Sequence, residues 1–296
     1  MVTSVEQAMA QAAAQVETTL ESLLPISTRP DAPLWAAMRY GSLDGGKRLR
    51  PFLVLESAAL FDIPSQRALS TAAAIELIHC YSLIHDDLPA MDNSDLRRGR
   101  PTVHRQFTEA AAILAGDGLL TLAFEVLADS KTHADPEVRC RLISALARAA
   151  GPAGMVGGQM MDCAGETWPI ALYDVIRLLQ GKAGALIEFA CMAGALLAKA
   201  DEPSLLALKK YAECLGLAFQ IADDLLDVEG NEAEVGKSVG RDAAAGKATF
   251  VSLMGVQPAR SRARRLAQEA SDHLEIFGER AAVLKAVAGF VVNRRA

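Results

Sequence analysis

Six aspartates in two short stretches are the residues best placed to do chemistry. HDDLPAMD, starting at His85, holds Asp86, Asp87 and Asp92; QIADDLLD, starting at Gln220, holds Asp223, Asp224 and Asp227. Carboxylates this close repel by about 1 kcal/mol per pair in water and by more when partly buried. A cation should therefore sit among them, and hard oxygen ligands suit Mg²⁺. On a helix Asp223 and Asp227 share a face at i, i+4, with Gln220 one turn earlier and Asp224 turned about 100° away. In the first stretch Asp92 follows the break that Pro89 imposes, and His79 lies two turns before Asp86. One such cluster would read as a solvated acidic helix end. Two, each behind an apolar helical run, argue for a site.

Basic residues stand close by in sequence. GGKRLRP carries Lys47, Arg48 and Arg50; DLRRGRP carries Arg97, Arg98 and Arg100; QGKAG carries Lys182; VGKSVGRDAAAGK carries Lys237, Arg241 and Lys247. A glycine precedes Lys47, Lys182, Lys237 and Lys247, which lets backbone approach an anion closely. Arginine grips phosphate oxygens in a bidentate fork. In a chain of net charge −6, acid clusters paired with glycine-flanked lysines point to a Mg-diphosphate site. Other chemistries fit poorly. The GxxxxGK beginning at Gly41 has Arg48 where a P-loop needs Ser or Thr, and no strand precedes it. The five histidines have no zinc spacing, and no nucleophile elbow is present.

The elements that must carry these residues read as helices. Alanine and leucine dominate, aromatics are 5%, and apolar residues recur at i, i+3, i+4, as in Leu205, Leu208, Tyr211, Ala212, Leu215 and Phe219. Prolines punctuate helix ends rather than interiors. The pattern predicts an all-α bundle of about ten to twelve helices around a central cavity, with residues 1–296 as one domain. An N-terminal helix, about Thr3 to Leu24, carries no motif and is expected on the outside or at a subunit interface. The longest uncharged apolar run, Phe189 to Ala198, is too short for a bilayer, so no membrane association is expected. No secretory signal is visible, and five cysteines without CxxC suit a reducing compartment; the expectation is cytoplasmic. The acidic balance offers nothing to nucleic acid.

In combination, GGKRLRP, DDLPAMD, DLRRG and QIADDLLD resemble the trans-isoprenyl diphosphate synthases, bacterial farnesyl diphosphate synthases in particular, from about Tyr40 onward. The resemblance implies a homodimeric all-α enzyme that joins isopentenyl diphosphate head-to-tail to an allylic diphosphate. It implies a cluster of three Mg²⁺, with Mn²⁺ as the alternative, ligated by Asp86, Asp92 and Asp223 and assisted by Asp87, Asp224 and Asp227. Arg97, Lys182 and Lys237 would hold the allylic diphosphate; Lys47, Arg50, His79 and Arg98 would hold isopentenyl diphosphate. Gln220 would face the developing cation, and Lys247 would line the diphosphate pocket. Tyr81 and Ser82, one turn before Asp86, would form the floor that stops chain growth; an aromatic there goes with the fifteen-carbon product. Ala183 departs from the threonine usual after the lysine. The alternatives are a geranylgeranyl or geranyl diphosphate synthase, or a catalytically weak partner subunit.

Overall fold

The structure, a computed structural model, describes residues 4–43, 45–164, 172–229 and 249–293. The helices are α1 (Val5–Leu23), α2 (Ala32–Ser42), α3 (Leu49–Ala59), α4 (Ser65–Asp86), α5 (Val103–Gln106), α6 (Glu109–Ala128), α7 (Pro136–Ala150), α8 (Met155–Ala164), α9 (Leu172–Leu179), α10 (Ala185–Leu197), α11 (Glu202–Glu229), α12 (Phe250–Met254), α13 (Val256–His273) and α14 (Ala282–Asn293). The proline reading holds: Pro33 and Pro136 fall in first turns, and Pro64 caps α4. Ahead of Pro89, α4 stops at Asp86.

The core lies between α3, α4, α6, α10 and α11. Helix α4 is buried along most of its length, from Ala68 to Ile84, and packs on α6 and α3. Small residues let helices touch: a Cβ at Gly194 of α10 would overlap the Ser57 backbone of α3. Helix α1 packs by one face. It buries Met9, Ala12, Val16 and Leu20 against α3 and α4.

Two features depart from the sequence reading. Leu96–Arg97 and Arg100–Pro101 pair as a minimal antiparallel hairpin, β1–β2. Its central residues, Arg98 at φ 53° and Gly99 at φ 74°, both adopt the left-handed region that matches strand twist in two-residue hairpins. Strands of two residues show no alternation, so periodicity could not reveal them. The second is α6, 20 residues long, in which an 18-residue window reaches a mean hydropathy of 1.7, enough by length and composition alone to cross a membrane. Its inner face packs on α4, while Ile113 and Leu114 are 45% and 56% exposed.

Candidate active site

The first acidic motif is built by the end of α4 and a loop that folds back over it. The Asp92 N–H donates to the Asp86 carbonyl at 2.8 Å, and the Ser94 N–H donates to that of Asp87 at 3.2 Å. Chain reversal thus brings Asp92 back to Asp86. Burial pushes the Asp86 carboxyl up to about 6; Lys182 opposes that shift and Asp92 adds to it. Asp87 points the other way. It is 2% exposed and accepts two hydrogen bonds from Arg97, at 2.7 and 2.8 Å. Asp87, expected beside the metal, and Arg97, expected at the allylic diphosphate, hold each other in this structure, and their bidentate pair ties the hairpin to α4.

Opposite Asp86, Lys182 sits in a π-helical turn, Gln180–Gly184, a local widening that re-aims side chains and is frequent at functional sites. Its ammonium donates to Asp162 of α8 at 2.5 Å. The close packing comes from Gly158, where a Cβ would overlap the Lys182 backbone nitrogen. Sequence reasoning missed Asp162 because its partner lies twenty residues away across a helix crossing. Ala183 is buried behind Lys182.

In the second motif Gln220, Asp223 and Asp227 are half-buried on α11, and Asp223 lies close enough to Arg50 to bear on its charge. Asp224 faces the other side. It is 8% exposed and accepts the Phe250 N–H at 2.8 Å, at the start of α12. Among the described residues no three His, Cys, Asp or Glu side chains converge on one ion. The oxygen donors still suit Mg²⁺, which typically takes one or two carboxylates together with substrate phosphates.

The predicted isopentenyl diphosphate residues do come together. Lys47, Arg50, His79 and Arg98 line one pocket with Arg48, Glu76 and Phe219, of about 580 Å³ with its mouth included. The Arg50 Nη1 lies 3.4 Å from the His79 Nε2, while the buried Arg50 Nε has no hydrogen-bond partner among the described residues. Burial holds Arg50 below its ordinary value, but an arginine stays protonated. Burial first, then Arg50 and the neighbouring arginines, hold His79 well below the usual histidine range; its ring is neutral. The glycines of GGKR make room for a side chain. The Arg98 guanidinium lies across Gly45 and Gly46, and a Cβ on Gly46 (φ 89°) would stand 2.6 Å from its Nη2. They admit the Arg98 guanidinium.

Tyr81 is 6% exposed, and burial pushes its hydroxyl up to about 12. Its ring meets His85 edge-on at 5.7 Å, and His85 lies 3.0 Å from the Ile113 carbonyl of α6. Ser82 donates to the His79 carbonyl at 2.8 Å, one turn back on its own helix. Lys237, Arg241, Lys247 and the terminal Arg294 and Arg295 lie outside the described residues.

Residues 32–287 match the polyprenyl synthetase family. The chain belongs to that family. It is 47% identical over 272 residues to the farnesyl diphosphate synthase of Escherichia coli, covering 89% of this chain and 90% of that protein. It is 41% identical over 280 residues to the geranylgeranyl diphosphate synthase of Cyanophora paradoxa, covering 94% and 93%. Among solved structures, an FPP/GFPP synthase from Zymomonas mobilis in its apo form superposes with a TM-score of 0.89 at 47% identity, covering 97% of this chain and 98% of that one. The all-α expectation holds, and twelve helices of eight residues or more stand among the described residues.

Proposed function

We propose that this protein is a prenyltransferase that condenses isopentenyl diphosphate with dimethylallyl or geranyl diphosphate to give farnesyl diphosphate. The observation that carries the reading is the gathering of Lys47, Arg50, His79 and Arg98 on one pocket wall. Three cations and a histidine gathered on one cleft suit an anion, and among the described residues the Arg50 Nε has no hydrogen-bond partner. Names of relatives support the class and divide over product length.

On this reading Asp86, Asp92 and Asp223 would hold Mg²⁺ together with the allylic diphosphate. The metal would supply charge stabilisation of the departing diphosphate. Lys182 adds a fixed cation beside Asp86, and Lys237 and Lys247 are assigned to the same diphosphate. Phe219 and the apolar face of α4 exclude water from the allylic cation, with Gln220 beside it. His79 orients isopentenyl diphosphate as a neutral donor. Its depressed basicity makes it a poor proton acceptor, so the departing diphosphate is assigned that role. Tyr81, with Ser82, closes the path of the growing chain. The reading takes residues 1–296 as one cytoplasmic domain without membrane or nucleic-acid partners. It takes the apolar outer face of α6 as the contact of a homodimer.

The test is a product assay with Mg²⁺, isopentenyl diphosphate and either starter, followed by chromatography of the dephosphorylated alcohols. Farnesol as main product, shifting to longer alcohols in Tyr81→Ala, supports the reading. Geranylgeraniol from the wild type would keep the reaction and remove Tyr81 as floor. No metal-dependent elongation would overturn the function.

A further inference from the structure

Arg48 is the basic residue of GGKRLR that the proposed reaction does not use. It is 3% exposed and has a left-handed backbone, φ 47°, a conformation uncommon outside glycine. Its guanidinium gathers four elements. It donates to Glu76 of α4 at 2.7 Å, to Glu17 of α1 at 2.6 Å and to the Ser42 carbonyl at the end of α2 at 2.6 Å. Its own backbone starts α3. Glu76 is 2% exposed. Burial opposes the Arg48 charge, but Glu76, Cys80 and Glu17 beside it together more than offset this.

The consequence is positional. Arg48 stands between Lys47 and Arg50, and Glu76 stands one turn before His79. Fixing Arg48 to Glu76 therefore sets the distance between the loop that carries two pocket cations and the helix that carries the pocket histidine. Glu17 closes the fork from outside, on a helix that otherwise touches the pocket through Met9. Arginine's planar fork can serve two carboxylates and a carbonyl at once; a lysine cannot match that geometry.

We propose that Glu17 and Glu76, acting through Arg48, are positioning residues that hold the 45–50 turn in the one conformation that presents Lys47 and Arg50 beside His79, so that the N-terminal helix tunes affinity for the homoallylic diphosphate. This rests on the proposed function of the pocket. Neither carboxylate touches substrate.

The test measures steady-state kinetics of full-length wild type, Glu17→Gln and Arg48→Lys, varying each diphosphate separately, with melting temperatures recorded alongside. Glu17 is 28% exposed in its side chain, so its amide variant is the milder lesion. The expected result is a KM for isopentenyl diphosphate raised by about three- to tenfold, with the geranyl diphosphate KM and kcat within about twofold. Adding Arg50→Lys to Glu17→Gln should give less than the product of the two single effects. The proposal is overturned if the isopentenyl diphosphate KM stays within twofold, if both KM values rise together, or if only the active fraction falls. A wild type that consumes no isopentenyl diphosphate sinks the proposed function itself, and this inference with it; an active wild type with unchanged variants sinks this inference alone.

Discussion

Asp86 and Asp87 close one helix, whereas Asp223 and Asp224 lie inside another, yet the members of each pair divide in the same way. The second aspartate is buried and bound to the fold: Asp87 takes both arms of Arg97, and Asp224 takes the Phe250 N–H. The first stays at the cleft, Asp86 facing Lys182 and Asp92, Asp223 facing Arg50. Adjacent residues on a helix point about 100° apart, so a DD pair at a helix surface presents one carboxylate to ligand and one to structure. The difference lies in strength. A bidentate ion pair to a hairpin is a stronger tie than a charge-assisted hydrogen bond from a backbone N–H.

Variants of the cleft-facing members should show the largest effect. Asp86→Asn or Asp223→Asn is expected to lower kcat/KM by about a thousandfold, because each removes charge from the transition-state machinery. Melting temperature should hold or rise in Asp86→Asn, since burial and the neighbouring Asp92 already disfavour that charge; in Asp223→Asn it should fall slightly, since Arg50 loses a carboxylate beside it. Asp87→Asn should instead act on the fold. Breaking a buried pair costs about 3–5 kcal/mol, and with Arg97 35% exposed about 2 kcal/mol is the discounted figure. That is a fall of roughly 4–8 °C in a calorimetric melt. Asp224→Ala leaves the Phe250 N–H without its acceptor at about 1–2 kcal/mol, a smaller fall of roughly 2–6 °C. The smallest effect belongs to Ala183→Thr, which restores a hydroxyl behind Lys182; the KM for the allylic diphosphate should fall about two- to threefold, read by varying geranyl diphosphate alone.

Much of this was legible in the sequence because it is local. Helical periodicity and first-turn prolines marked the helices, and i, i+4 spacing placed Asp223 and Asp227 on one face. The isopentenyl diphosphate quartet came from the family resemblance, and its members meet in one pocket. What escaped the sequence depends on pairing at a distance. Nothing adjacent to Asp162 signals Lys182, and nothing near Glu17 signals Arg48. Glu76 left a faint trace, as a lone charge in the apolar run AAAIELIHCY. The hairpin at 96–101 escaped because its shape rests on Arg98 in a left-handed conformation that arginine seldom adopts.

The measurement that tests the division of the aspartates most directly is the melting-temperature gain on adding Mg²⁺ with inorganic diphosphate. Binding at a hundred times Kd adds about 2.7 kcal/mol to the folded state. The account predicts that Asp86→Asn starts at or above the wild-type melting temperature, that Asp223→Asn starts at most slightly below it, and that both lose most of the gain. Asp87→Asn and Asp224→Ala should start lower and keep it. The opposite pattern, with the second aspartates abolishing the gain from an unchanged starting temperature, would contradict it.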